Sequence, residues 1–200
     1  MNRYASRPFP PDVHGNIYAL CFVDSYSGQA DVVFLKNKLS ESVRAAFEEF
    51  LRRHKSRLPA EPEWFTDNGG EFMSKDLNDF CEEFAVKRAY SIPYTPPQNG
   101  KAERLWGICL RGTRIALAHS GMPEVFWSYA MLDALWLHNH LPSRGNDHFL
   151  SPVEVAFGIK PDFTRKKVWG CKCYFHLSDY DHAKLGLSKV SPTAVEAVNL

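Results

Sequence analysis

The sequence predicts an α/β domain in which a mixed sheet is flanked by helices. Three observations carry that reading. Two apolar runs of strand length, 17–24 and 31–35, stand either side of the turn Ser25-Tyr26-Ser27-Gly28, as in a hairpin. Helical and strand patterns then alternate as far as about residue 90. Beyond it lie two long helical patterns.

Taken in order, residues 1–11 carry three prolines and read as irregular. Ile17 to Asp24 is apolar on both faces and therefore reads as an interior strand. Ser40 can cap a helix to about Arg53, with Val43, Ala46, Phe47, Phe50 and Leu51 turned inward. The basic run Arg52-Arg53-His54-Lys55-Ser56-Arg57 reads first as a solvated turn, since cations suit a helix C-terminus, and only second as a nucleic-acid contact. Pro62 to Thr66 is a short strand that runs into Asn68-Gly69-Gly70, which places Asp67 at its C-terminal tip. Ser74 can cap the next helix, in which Leu77, Phe80, Cys81 and Phe84 keep helical spacing. Val86 to Tyr90 is a strand.

Ser91 to Gly100 holds Pro93, Pro96 and Pro97 and reads as a loop, with Asn99 as the N-cap of the helix that carries Glu103. At about 100° per residue, Leu105, Ile108, Cys109, Gly112, Ile115 and Ala116 share one arc. Glu103 lies opposite, flanked by Gly107, Arg111 and Arg114 and bordered by Arg104. Pro123 to Leu141 is a further helix, with Trp127, Ala130, Met131, Ala134, Leu137 and Leu141 on one face. Ser151-Pro152-Val153-Glu154 opens a short helix that Gly158 to Pro161 closes. Val168 to Phe175 reads as a strand, and Ser188 to Leu200 gives no element. The expected division is a core over 1–150 and an extension over 151–200.

Composition bounds the function without naming it. An apolar content of 44% and a charged content of 24% suit one well-packed core. A net charge of +1 means that any nucleic-acid surface has to come from local clustering. Cys21, Cys81 and Cys109 fall in apolar stretches and read as buried free thiols. Cys171-Lys172-Cys173 with His176 lacks a usual zinc-finger spacing. With no signal peptide and no apolar run of transmembrane length, the expected setting is the nucleus or cytoplasm rather than secretion or a membrane.

Two acidic residues at the edges of regular elements hold the chemistry. Between Asp67 and Glu103 lie 35 residues, 68 through 102. Ligands gather at the carboxyl ends of strands in open α/β sheets. Carboxylates supply the hard oxygens that Mg²⁺ takes, and arginines suit phosphate oxygens. From the helix alone, the more economical reading of Glu103 is a surface carboxylate paired with neighbouring arginines.

The stretches Thr66-Asp67-Asn68-Gly69-Gly70-Glu71-Phe72 and Tyr94-Thr95-Pro96-Pro97-Gln98-Asn99-Gly100-Lys101-Ala102-Glu103-Arg104 resemble the integrase catalytic core of retroviruses and retrotransposons, the copia type above all. The likeness extends from about Pro8 to about Leu185 and includes the spacing of the last two members of an Asp, Asp, Glu triad. It implies a ribonuclease H-like fold and DNA integration through cleavage and joining of phosphodiesters with two Mg²⁺ (or Mn²⁺) ions. Asp67 and Glu103 are then the catalytic and metal-binding residues. Tyr94, Gln98, Asn99, Lys101, Arg104, Arg111 and Arg114 become candidates for DNA contact. DNA, both element ends and target, and further copies of the chain are the implied partners. Asn139 and Pro142 resemble the family's Asn-x-x-Pro helix ending, which accounts for His138-Asn139-His140 without a nuclease of the kind named for that triplet.

The resemblance fails at one place. The family's first Asp stands three residues before a Gly-Pro pair; here Arg7-Pro8 takes the pair's place and Tyr4 the acid's. Asp12 lies in a connection and Asp24 at the far end of the next strand, so neither replaces it simply. The expectation is an impaired, truncated or reused enzyme. The alternatives are a non-catalytic nucleic-acid-binding module that keeps the fold, and a ribonuclease H-type nuclease.

Overall fold

Alternation along a single strand sorts the domain into layers. The computed structural model describes residues 2–4, 8–54, 61–66, 72–90, 96–186, 188, 191–192 and 194–200; the side chains of 2–4, 90, 96–99, 179 and 182 lie outside that description. The five-stranded sheet comprises β1 (Asn2–Tyr4), β2 (Tyr18–Val23), β3 (Ala30–Leu35), β4 (Glu63–Thr66) and β5 (Lys87–Tyr90), in the order β3-β2-β1-β4-β5. Its helices are α1 (Ser40–His54), α2 (Lys75–Glu83), α3 (Pro96–Ser120) and α4 (Trp127–His140). Successive side chains of a strand point to opposite faces. On β2, Leu20 and Phe22 join Val43 and Phe47 of α1 and Leu77 and Phe80 of α2 in one cluster. Ala19, Cys21 and Val23 join Leu105, Trp106 and Cys109 of α3 and Trp127 and Met131 of α4 in the other.

The sheet is mixed, as expected. β1 pairs antiparallel with β2 and β2 with β3, whereas β1 with β4 and β4 with β5 run parallel. The hairpin turn is built by Asp24, whose Oδ2 accepts from the Ser27 amide at 2.8 Å and the Ser27 hydroxyl at 2.6 Å. Ser74 caps α2, accepting from the Leu77 amide, and Phe84 closes that helix while 44% exposed. Cys21, Cys81 and Cys109 are buried free thiols. The meeting of Cys21 with the Cys109 thiol, together with burial, pushes the Cys21 thiol well above its ordinary value.

Several elements depart from the sequence reading. α3 begins at Pro96, so Asn99 lies inside its first turns rather than at its N-cap. Proline is tolerated there because the first amides of a helix lack partners anyway. A 3-10 turn at Glu124–Phe126 leads into α4, and Leu141 falls beyond its end, 47% exposed.

The segment after residue 150 carries more regular structure than expected. α5 (Pro152–Phe157) has the predicted start, a reciprocal Ser151–Glu154 capping box, and it stops at Gly158 with φ 67°. β6 is Lys172–His176 rather than 168–175. Trp169 and Gly170 instead form a turn: Gly170 has φ 75°, and a Cβ there would stand 2.2 Å from Ser120 Cβ at the end of α3. α6 (Asp179–Lys184) and β7 (Ala194–Val198) answer to no predicted element, and β7 pairs antiparallel with β6.

The edge of β3 is covered by a side chain. Asn139 Oδ1 accepts from the Ala30 amide at 2.9 Å, and its Nδ2 donates to the Ala30 carbonyl at 2.8 Å. One amide side chain thus imitates a further strand at the sheet edge and fixes the end of α4 on the hairpin. His138 Nε2 lies 3.0 Å from the Gly28 carbonyl, and Asn146 Nδ2 donates to the Ser27 carbonyl at 2.9 Å. Replacing Asn139 by Ala leaves the Ala30 N–H and C=O without these partners. Urea denaturation is expected to show a loss of about 3 kcal/mol, and Asn139→Asp, which sets a buried carboxylate oxygen against the Ala30 carbonyl, is expected to lose at least as much at neutral pH.

Candidate functional site

Burial of one helix face decides what α3 presents to solvent. Ala102, Leu105, Trp106, Cys109 and Thr113 are buried. Lys101, Glu103, Arg104, Arg111 and Arg114 are all exposed on the same helix. The sequence reading put the charges outward correctly but rotated the apolar arc. Ile108 and Ile115 are exposed, at 37% and 62%, whereas Trp106 and Thr113 face inward. Thr113 can be buried because its Oγ1 donates to the Cys109 carbonyl at 2.7 Å. Gly112 lets α4 approach: a Cβ there would stand 2.6 Å from Ala134 Cβ.

The stretch around Asp67 is anchored at both ends. Thr66, the last residue of β4, is 1% exposed, and Phe72 is fully buried among the residues under α1 and α2. Arg88 of β5 donates to the Phe72 carbonyl and to Asn78 Oδ1, both at 2.5 Å. Residues 67–71, Asp67 among them, lie outside the described residues. So do Tyr94 and the side chains of Gln98 and Asn99. Across the sheet, Thr66 stands beside Asn2 and Asn2 beside Phe22, which sets the first residue of β1 next to the last residue of β4. Tyr4 ends β1 opposite Leu20.

The other candidates have definite places. Lys101 Nζ donates to the Ser25 carbonyl, which ties the start of α3 to the hairpin turn. Asp12 is 5% exposed and accepts from the His14 and Asn16 amides, each at 2.8 Å, and from Asn16 Nδ2 at 3.1 Å. Burial alone would raise its carboxyl; the Ser128 hydroxyl and the Asn16 and His14 bonds outweigh burial and hold it below its ordinary value. Asp12 and Asp24 are therefore committed to turns. Among the described residues, no three His, Cys, Asp or Glu side chains converge as a metal-holding group. One member of the proposed ligand pair, Glu103, is described, and it stands on the exposed face of α3.

Sequence reasoning missed a second concavity. A cleft of about 390 Å³ opens between β2, β4, the end of α1 and α5. Asp31 on its wall accepts from Arg53 Nη1 at 3.0 Å, meets His54 Nε2 at 3.0 Å and accepts from the Val32 amide at 2.7 Å. The signal available was the basic run 52–57, part of which serves this carboxylate.

The comparisons with known proteins converge. The family described as Integrase core domain matches residues 8–96. The chain is 31% identical over 169 residues to the retrovirus-related Pol polyprotein from transposon RE2 of Arabidopsis thaliana, covering 84% of this chain and 11% of that protein. To the corresponding polyprotein from transposon TNT 1-94 of Nicotiana tabacum it is 29% identical over 176 residues, 86% of this chain and 13% of that one. The chain thus spans roughly a tenth of the length of these curated relatives. Among solved structures, the magnesium-bound catalytic core of HTLV-2 integrase in its trimeric form superposes with a TM-score of 0.55 at 24% identity, covering 70% of this chain and 84% of that one. A chain of the simian T-cell lymphotropic virus intasome with PP2A regulatory subunit B56 gamma gives 0.63 at 16% identity, covering 98% and 66%. These likenesses establish a ribonuclease H-like, integrase-core fold. No helix among the described residues is long and apolar enough to cross a membrane.

The Asp31 cluster makes a pH prediction. Burial raises its carboxyl, but the His54 hydrogen bond, the Arg53 charge and the Val32 amide together hold it below its ordinary 3.8. A carboxyl lowered in the folded state stabilises the fold above its ordinary value, and that contribution is lost as pH falls through the lowered value. Urea denaturation at pH 6 and at pH 3 is expected to show Asp31→Asn costing about 1–3 kcal/mol at the higher pH and less at the lower.

Proposed function

Because this chain carries an integrase core domain, homologous to those of retrotransposon and retroviral Pol polyproteins, we propose that it acts on DNA phosphodiesters as a retrotransposon integrase core, impaired at its first acidic position. The observation that supports this reading is the integrase-core match over residues 8–96, which takes in the Asp67 stretch. The core holds Thr66 and Phe72 at either end of that stretch, and the later stretch opens the helix whose outer face bears Glu103, Arg104, Arg111 and Arg114.

In this reading Asp67 and Glu103 hold Mg²⁺ or Mn²⁺. The ion, when bound, neutralises charge on the reacting phosphate and polarises the attacking oxygen. The protein's own contribution is placement. The core fixes Thr66 and Phe72 on either side of Asp67, and the buried face of α3 holds Glu103 outward. Arg104, Arg111 and Arg114 bind the DNA backbone, with Tyr94, Gln98, Asn99 and Lys101 contributing from the approach to α3 and its start. Such contacts are to phosphates, hence weakly sequence-specific. Element ends and target DNA are the substrates, and the working form is a homo-oligomer in the nucleus or cytoplasm. Residues 1–150 form the catalytic core, and 151–200 form an extension carried on the ends of α3 and α4.

One observation favours a second reading, a nucleic-acid-binding module that keeps the fold. Asp12 and Asp24, the acidic residues near β1, accept hydrogen bonds within turns, and in this reading Tyr4 takes the place of the family's first acid. The two readings separate in a Mg²⁺-dependent DNA strand-joining assay. The unaltered chain is expected to give little product, Tyr4→Asp to raise it at least about tenfold, and Glu103→Gln in that background to abolish the gain. Robust joining by the unaltered chain would refute the impairment. A folded Tyr4→Asp chain that still binds DNA but joins nothing would favour the module.

DNA affinity, followed across a series of salt concentrations, tests the arginines independently. Arg111→Ala and Arg114→Ala are each expected to weaken binding alike on unrelated sequences. Each is also expected to reduce the slope of log K against log salt by about one.

A further inference from the structure

A glycine in a helix interior calls for a reason, because it is the least favourable residue there after proline. Elsewhere in the chain the reason is visible: Gly158 and Gly170 have positive φ, and Gly112 lets Ala134 come close. Gly107 has neither. It lies well inside α3, its φ is not positive, and no described atom lies within 4 Å of the place its Cβ would take. Nothing among the described residues gains from the missing side chain.

Its surroundings are those of a contact face. Glu103 and Arg111 stand one turn before and one turn after it, and Arg104 and Arg114 lie on the same side of the helix. At about 100° per residue the five fall within roughly 100° of arc, with Gly107 near the middle. Arg104, Arg111 and Arg114 are exposed and make no hydrogen bond or ion pair among the described residues. Arg44, Arg53 and Lys87, by contrast, are each matched with a carboxylate. Along one edge of the arc Ile108 and Ile115 stay exposed. The face thus offers bare backbone at its centre, uncommitted arginines round it and an apolar rim.

That combination fits a nucleic-acid strand, which joins anionic phosphates and the apolar faces of sugars in one narrow ribbon. A helix from a second copy of this chain is the other partner that gains from a bare backbone, but it would set its own arginines against these, and like charges brought together are costly. We propose that Gly107 is the point at which one DNA strand crosses α3. A sugar rests on the helix backbone there, with Ile108 beside it, and the phosphates on either side reach Arg104 and Arg111. A side chain at position 107 holds the strand off. This role for Gly107 rests on α3 being the DNA-binding face, and it adds a fit of shape to the contacts of charge.

Substitution at this position moves helix stability and DNA binding in opposite directions, and both are measured on the full chain. Gly107→Ala is expected to melt about 3 °C higher than the unaltered chain. It is expected to bind a DNA duplex of unrelated sequence about threefold more weakly, and Gly107→Leu at least about tenfold more weakly without melting lower. A melting temperature lowered by Gly107→Ala would overturn the contact, since the protein itself would then fill the space. Unchanged DNA affinity in Gly107→Leu, with a shift in oligomeric state by analytical ultracentrifugation, would overturn it in favour of a second copy. Binding weakened by Arg111→Ala but not by Gly107→Leu would overturn the Gly107 contact alone. Absence of DNA binding by the unaltered chain would overturn the DNA-binding face as a whole.

Discussion

The contact between α3 and β2 governs the rest of the molecule. Ala19, Cys21 and Val23 present one face of β2, and Ala102, Leu105, Trp106 and Cys109 close on it. Apolar burial of this kind is worth roughly 25 cal/mol per Å², and it leaves the helix one acceptable rotation about its axis. The rotation decides which side chains face solvent, so Glu103 and three arginines share the outside because the opposite side is fully committed. α4 adds a second contact through the Gly112–Ala134 approach, and the Asn139 clamp then ties α4 to the edge of β3.

A second constraint acts on the other face of the sheet. Phe72 is buried with Phe47 and Phe80, and the Arg88 guanidinium holds its carbonyl. Thr66 and Phe72, on either side of the stretch that holds Asp67, are thereby both fixed in the core. A catalytic group gains precision when the elements that carry it are rigid. Here Glu103 stands on a 25-residue helix held along its buried face. The acids that cap turns, Asp12 and Asp24, show the contrasting use of the same chemistry: each accepts hydrogen bonds from its own turn.

Much of this was legible in the residues, and the failures have physical causes. The hairpin, α1, α2 and α5 announce themselves through unbroken apolar runs, a Ser cap with helical spacing, or a capping box followed by a glycine stop. The inward face of α3 did not, because Thr113 hides its hydroxyl on its own helix while Ile108 and Ile115, apolar as they are, remain outside. The start of α3 was misjudged because proline reads as a helix breaker unless it falls in the first turn. β7 left no local mark. Its side chains are mostly exposed, and it is a strand only because β6 pairs with it, closed by Asn199 donating to the Cys171 carbonyl at 3.0 Å.

The sequence by itself determined the fold class, the family likeness and the two motifs, because these depend on local spacing and residue type. Only the tertiary structure decided which side of α3 is buried, which charges are taken by Ser25 or Asp31, and where β2 and β4 part to leave a cleft. Those outcomes depend on contacts between residues far apart in the chain, and no window of sequence contains both partners.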